Sequence, residues 1–354
     1  MNLREFQQTA GATFAKDETG AAPDAVHFGD PQAEYKAAST KAALFDLSDR
    51  TQIELTGVDR AQFLHNFCTN EIKKLAPGSG CEAFVTNIKG RILAHVFVFA
   101  EEHSLWIDTV PRAEQSLLSH LDRYLITEDV ELHARTNELG DLFLSGEQAG
   151  GLLNSLGCDV SNLRTCDHVV SQISGIEVTV RRVDLIGVPG FLLSTSREPL
   201  APLWSQLSKA GATPAGSAAF HALRIEAGMP LYGLDLSDDN LAQEAARNVQ
   251  AISFTKGCYL GQEPIARIDA LGHVNRELRG LKLPAGPVPK PGSTVLTADE
   301  SQEIGHVTSS AMSYADDGPV ALALLRSNWT TRDTQVVVQL DEATVPATVF
   351  WPTG

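Results

Sequence analysis

The chain has 354 residues, 43% of them hydrophobic and 20% charged, with a formal net charge of −16. That length predicts two or three domains, and the composition is that of a folded globular protein rather than a disordered or fibrous one. The acidic balance repels phosphate backbones, which argues against non-specific nucleic-acid binding and leaves room only for a local basic cleft.

The N-terminus, Met1-Asn2-Leu3-Arg4-Glu5-Phe6, lacks the apolar core of a secretory signal, and no apolar run is long enough to cross a bilayer. A cytoplasmic protein with no membrane partner and no direct nucleic-acid binding is expected. Residues 1 to about 38 are polar and alanine-rich, an entry segment with some helical character. Ile53-Glu54-Leu55-Thr56 alternates as a strand does, and Asp59 is placed to cap a helix carrying Phe63, Leu64 and Phe67. Ala83–Thr86 and Arg91–Ala100 form a predicted hairpin, turning at Asn87-Ile88-Lys89-Gly90. Leu105–Ile107 reads as a further strand, and Pro111 as the start of a helix through Leu117, Leu118, Leu121 and Leu125.

Between residues 130 and 200 short strands alternate with turns, at Asp141–Leu144, Glu177–Val183 and Phe191–Ser194. Helices are predicted over Pro202–Ala210 and Ala218–Ala227. Without regular βαβ alternation, the fold class is α+β. Pro284, Pro287, Pro289 and Pro291 mark a boundary near residue 284 that no helix crosses. Beyond it, Thr294–Leu296, Ile304–Val307, Val320–Leu325, Gln335–Gln339 and Ala347–Phe350 read as the strands of a small β-barrel.

Five cysteines (Cys68, Cys81, Cys158, Cys166 and Cys258) occur at wide spacings with no C-x-x-C pair, so neither a zinc knuckle nor a disulfide framework is expected. The first four read as small buried hydrophobes. Cys258 lies in Lys256-Gly257-Cys258-Tyr259-Leu260-Gly261-Gln262-Glu263, just ahead of a helix with Ile265, Ile268 and Leu271 on one face and Gly272 past its end. Lys256 and the helix N-terminus favour a thiolate, while Glu263 opposes one. Locally the cysteine is either a reactive, ligand-touching thiol or a small residue in a tight turn. In Leu223–Gly233, Arg224 is either a partner for a carboxylate or planar ring or half of a structural ion pair. Lys89 and Arg91 form a basic hairpin tip.

Together these segments resemble the YgfZ-type proteins built on the aminomethyltransferase (glycine-cleavage T-protein) scaffold. Lys256–Glu263 matches the signature K-G-C-[FY]-x-G-Q-E. Leu223–Gly233 with Asp235 is similar to L-R-x-E-x-G-x-x-x-Y-G-x-D. Phe45–Ser48, Leu55–Asp59 with Phe63-Leu64, and Ile304–Ser309 resemble the opening strand, helix and barrel motif. The resemblance implies a three-domain ring around a folate channel, with a small C-terminal β-barrel. A discontinuous folate-binding domain would span residues 1–50 and 140–275, an inserted domain 51–139, and the barrel 276–354.

It further implies tetrahydrofolate or a derivative as cofactor, no permanently bound metal, and support of iron–sulfur enzymes or assembly proteins, including enzymes of tRNA modification. On this reading Cys258 is the functional thiol and Lys256 tunes it. Asn87, Lys89, Arg91, Arg224, Tyr232, Gly257, Tyr259 and Gln262 shape the folate site. Two departures argue against an active aminomethyltransferase. Ala94 and His95 replace the paired aspartates of the hairpin N-x-x-G-G-x-x-D-D, and Val188 stands where the pterin-gripping glutamate of T-G-E-x-G-[YF]-E belongs. A tetrahydrofolate-dependent aminomethyltransferase or demethylase is the alternative.

Overall fold

A computed structural model describes residues 2–15, 24–341 and 343–351. Helix α1 (Leu3–Thr9) is closed by a capping box in which Asn2 and Glu5 exchange backbone-to-side-chain hydrogen bonds. It is followed by β1 (Thr13–Phe14), β2 (Ala25–His27), α2 (Pro31–Thr40), β3 (Ala43–Asp46), β4 (Thr51–Thr56) and α3 (Arg60–His65). Next come β5 (Gly80–Thr86), β6 (Ile92–Ala100), β7 (Leu105–Thr109), α4 (Glu114–Asp122), β8 (Glu131–Ala134), β9 (Leu139–Ser145) and α5 (Ala149–Ser155). The middle of the chain carries β10 (His168–Ile173), β11 (Ile176–Arg182), β12 (Gly190–Ser196), α6 (Leu200–Lys209), β13 (Thr213–Pro214) and α7 (Ser217–Glu226). A 3-10 turn at Ala242–Ala245 precedes α8 (Asn248–Ala251) and α9 (Gln262–Leu271). Last are β14 (Arg276–Lys282), β15 (Thr294–Thr297), β16 (Glu303–Met312), β17 (Pro319–Arg326), β18 (Gln335–Gln339) and β19 (Thr344–Phe350).

The chain divides into two units. The first holds the residues up to Ala61, Lys74–Cys81 and Phe97–Phe220; the second holds Gln62–Lys73, Glu82–Val96 and the chain from His221 onward. In the first unit β10-β11-β12-β9-β3-β13 form a sheet that is antiparallel except for its β3–β13 edge. Period-two alternation sorts its faces. Leu142, Leu144, Val178, Val180 and Leu193 form one face and pack with Ala149 and Leu153 of α5 and Leu200, Leu203, Trp204 and Leu207 of α6. The other face carries polar groups, and there the buried side chains interlock. Arg50 and Gln52 both donate to Asp108; Gln52 also donates to Asp141 at 2.9 Å and accepts from Arg181 at 2.7 Å. β4 runs between β7 and β8 in the same unit.

The second unit holds the closed barrel β14-β17-β16-β15-β18-β19. Its interior is filled by Leu281, Val295, Ile304, Val307, Ala321, Ala323, Leu325, Val336, Val338 and Val349. β17 is apolar on both faces because Val320, Leu322 and Leu324 on its outer side pack with Ile225 of α7 and Leu278. Gly305 is required by close approach: a Cβ there would lie 2.1 Å from the Leu324 carbonyl oxygen.

The α+β class and the C-terminal barrel are as expected. Three local expectations need correction. The proline-rich segment does not precede the barrel, because β14, one of its strands, comes earlier in the chain. That strand, Arg276–Lys282, is rich in charge, which hid it. Helix α4 begins at Glu114, not Pro111, because Arg112 takes a left-handed φ of 66° that no helix continues. The Asp59 carboxylate accepts from the Asp129 N–H at 2.9 Å, a loop-to-loop bond in place of the expected cap. Among the described residues no helix is long and apolar enough to cross a membrane.

Candidate functional site

The Lys256–Gly261 loop connects α8 to α9 in the second unit, and its geometry is set by Lys256 and Gly261. The Lys256 ammonium is buried and donates to three backbone carbonyls, His65 at 2.6 Å, Cys68 at 2.5 Å and Asn70 at 2.9 Å. Three donors thus meet three acceptors, and the cation also lies 4.6 Å from the Tyr259 ring centre. Gly261 has φ of 84°, and a Cβ there would come within 2.4 Å of the Asn87 carbonyl oxygen. The loop therefore sits on the β5–β6 turn, where the Thr86 hydroxyl donates to the Leu260 carbonyl at 2.7 Å.

Between these anchors, Gly257 and Cys258 are exposed. Gly257 has an ordinary backbone, and a Cβ there would meet only His65 Nε2, at 3.8 Å. Cys68, Cys158 and Cys166 are buried and Cys81 is half-buried, so Cys258 alone among the five is exposed. Burial pushes the Cys68 thiol up to about 12, with Lys256 pulling the other way, and burial likewise pushes the Tyr259 phenol up to about 12. Helix α9 begins at Gln262, which is half-buried, and ends at Gly272 in the left-handed region, as the sequence predicts.

At the hairpin tip the Asn87 side chain accepts from the N–H groups of Lys89 (2.9 Å) and Arg91 (3.2 Å), so it shapes the turn. Lys89 is exposed, and the Arg91 guanidinium donates to the Asp239 carbonyl. The structure thus brings Asn87, Lys89 and Arg91 beside the loop of Gly257, Cys258, Tyr259 and Gln262.

Arg224 belongs to a different network. It is 1% exposed; its guanidinium donates to the Asp235 carboxylate at 2.8 Å, to the Met229 carbonyl at 3.1 Å and to His221 at 3.0 Å. Asp235 also accepts from the Leu231 N–H and from the hydroxyls of Thr308 (2.7 Å) and Ser309 (2.5 Å). Two of the sequence motifs, Leu223–Asp235 and Ile304–Ser309, are thereby one structural joint between the α7 turn and the barrel. His221 is pushed down to about 4 by burial and by the adjacent Arg224 cation. Tyr232 is half-buried, and burial and then Asp238 raise its phenol.

A cluster that no motif announced lies on the hairpin itself. His95 on β6 contacts Glu82 on β5 at 2.7 Å and packs on Phe84. Arg247 donates to both Glu82 oxygens, one at 2.5 Å. Burial alone would raise the Glu82 carboxyl, but Arg247 and then His95 overcome it and hold it at about 2. Ala94 beside His95 is fully buried. Glu82 and Arg247 are 165 positions apart, a pairing that spacing does not reveal. Among the described residues no group of three or more His, Cys, Asp or Glu side chains is placed to hold a metal ion.

Residues 4–254 match the GCVT N-terminal domain, and residues 276–353 match the glycine cleavage T-protein C-terminal barrel domain. The chain belongs to the glycine cleavage T-protein family. It is 27% identical over 335 residues to an aminomethyltransferase of Thermoanaerobacter pseudethanolicus, covering 92% of this chain and 89% of that one. It is 30% identical over 320 residues to an aminomethyltransferase of Herpetosiphon aurantiacus, covering 90% and 88%. A putative chloroplastic transferase of Arabidopsis thaliana is 32% identical over 269 residues, 75% of this chain and 60% of that protein. The crystal structure of glycine cleavage system aminomethyltransferase T from Bartonella henselae shares the fold, with a TM-score of 0.88 at 22% identity over 99% of this chain and 96% of that one. The segment between the two domain matches, residues 255–275, contains the Cys258 loop and α9.

Proposed function

We propose that this protein is a YgfZ-type member of its family, one that binds a reduced folate and supports the assembly or maintenance of iron–sulfur enzymes, including tRNA-modifying ones, without catalysing aminomethyl transfer. The observation that carries this reading is the state of Glu82. Aminomethyl chemistry calls for a carboxylate that stabilises developing positive charge and handles a proton. On this hairpin, Ala94 and His95 occupy the positions read as the aspartate pair. The carboxylate present, Glu82, is buried and already engaged by Arg247 and His95. Held at about 2, it is a poor proton acceptor at neutral pH.

Cys258 would supply the working thiol. Its loop is braced from behind by Lys256, and Gly257 leaves the space beside the thiol open without any backbone need for glycine. One cysteine does not hold a cluster alone, so any contact with an iron–sulfur centre would be shared with the partner. The exposed Lys89 ammonium suits the carboxylates of a folate tail, and the half-buried Tyr232 ring offers a stacking face. Arg224, Tyr259 and Lys256 support this site from beneath rather than touch the ligand.

The names of the relatives favour the second reading, a tetrahydrofolate-dependent aminomethyltransferase or demethylase. Assaying the pure protein for folate-dependent turnover of methylamine-type substrates separates the two. The proposal expects none; robust turnover that persists in Cys258→Ala establishes the enzyme instead. Calorimetric titration with tetrahydrofolate tests the ligand, and absence of binding removes it.

A further inference from the structure

The first unit contains a cavity of about 410 Å³ whose walls include Arg181 and Thr179 of β11, Ser194 of β12, Trp106 of β7, and the carboxylates Glu101 and Glu177. That volume is within the range of small-molecule sites, roughly 300–1,000 Å³. On β11, Glu177, Thr179 and Arg181 are two residues apart and so share one face, and Ser194 lies opposite Thr179 in the register. They stand on the face of the sheet turned away from the apolar core, where buried polar groups demand partners.

Among the cavity's lining side chains, Arg181 and Trp106 each leave an N–H donor without a partner. Arg181 is 2% exposed, with Nη1 bound to Gln52 and Asp108 3.8 Å away, yet its Nε makes no hydrogen bond among the described residues. The Nε1 of Trp106 is likewise buried without an acceptor. The Arg181 guanidinium is fixed in place, 4.9 Å from the Phe99 ring centre and 5.6 Å from that of Trp106. A buried donor left unmatched costs about 1–3 kcal/mol, so two of them lining one cavity call for an acceptor from outside the chain. A guanidinium N–H beside an indole N–H suits a carboxylate. The same cavity has two carboxylates of its own. Glu101 accepts from the Ser104 hydroxyl at 3.2 Å, while Glu177 is exposed. A simple anion would meet repulsion from both, whereas a molecule that also carries an ammonium would not.

We infer that this cavity binds a small zwitterionic amino-carboxylate, an amino acid or short peptide, whose carboxylate accepts from Arg181 and Trp106 and whose ammonium faces Glu177. The site shares no residue with the proposed folate and Cys258 site, so either assignment stands if the other fails.

The test follows the Trp106 indole N–H by NMR in the full-length protein, assigned through Trp106→Phe, while glycylglycine, acetate, methylamine and tetrahydropterin are added separately. A saturable shift is expected with glycylglycine, a weaker one with acetate, and none with methylamine or tetrahydropterin. Arg181→Gln should abolish the shift. Because that change breaks a buried network, Glu177→Gln is the second variant: exposed, and expected to weaken glycylglycine roughly two- to fivefold while leaving acetate no weaker. Tetrahydrofolate binding should be equal in wild type and Glu177→Gln. No saturable shift with glycylglycine, an equal response to methylamine or tetrahydropterin, or indifference of glycylglycine to Glu177→Gln would each overturn the assignment.

Discussion

Lys256 and Cys258 are two residues apart and play opposite parts. The lysine is an internal brace: its three N–H bonds close the loop onto the end of α3 and the segment that follows it. Lys256→Met leaves three carbonyls without their charged donor and should destabilise the second unit by on the order of 3 kcal/mol, read as a lower urea midpoint. Cys258 is exposed, so Cys258→Ser should leave that midpoint within about 0.5 kcal/mol of wild type. The contrast makes Cys258 variants clean functional probes. Arg224→Ala should cost about 3–5 kcal/mol, because it strands the buried Asp235 carboxylate. If Arg224→Ala instead unfolds like wild type but loses folate affinity, then the arginine is a ligand contact rather than a joint.

At the scale of elements, the loop, the hairpin turn and α9 behave as one piece because Gly90 and Gly261 let their backbones meet. Gly261→Ala should therefore cost at least about 1–3 kcal/mol for its left-handed φ, with further strain from the Asn87 carbonyl, and hydrogen exchange should rise together at Leu260 and Gly90. Much of this was legible in the sequence: α9 and its Gly272 stop, the Asn87–Gly90 turn and five of the six barrel strands follow from periodicity and turn chemistry. β14 escaped because Arg276, Glu277, Arg279 and Lys282 break its apolar pattern, and only Leu278, Gly280 and Leu281 of the strand are buried. The networks around Glu82, Asp235 and Arg181 escaped for a different reason. Each joins residues distant in sequence, and a pairing made by tertiary contact leaves no local period to read. Asp235 shows the consequence: its motif with Arg224 was visible, but the Thr308 and Ser309 hydroxyls that tie it to the barrel lie 73 and 74 positions away.

Across the whole molecule, each unit holds a buried carboxyl, and the two carboxyls have opposite acid responses. In the second unit, Glu82 falls from its usual 4.5 to about 2. A depressed carboxylate stabilises above its unfolded value, so this contribution, about 3 kcal/mol, is complete at neutral pH and is lost as pH falls through 4.5 toward 2. In the first unit, Asp141 rises from 3.8 to about 6, through burial and then the neighbouring Asp108. A raised carboxyl has the reverse sign: its contribution is complete below 3.8 and is lost as pH rises through 6. Comparing urea midpoints from pH 2 to 8, Glu82→Gln should flatten the acid limb, and Asp141→Asn should flatten a decline between pH 4 and 6. Unchanged limbs in both variants would contradict the two assignments.

The proposed service to iron–sulfur enzymes rests on the exposed Cys258 thiol. The most direct measurement is the activity of an iron–sulfur methylthiotransferase in cells lacking this protein, rescued by wild type, Cys258→Ser or Cys258→Ala expressed at equal levels. Restored activity is expected with wild type, and little or none with either variant. Rescue by both variants equal to wild type would contradict that role of the thiol.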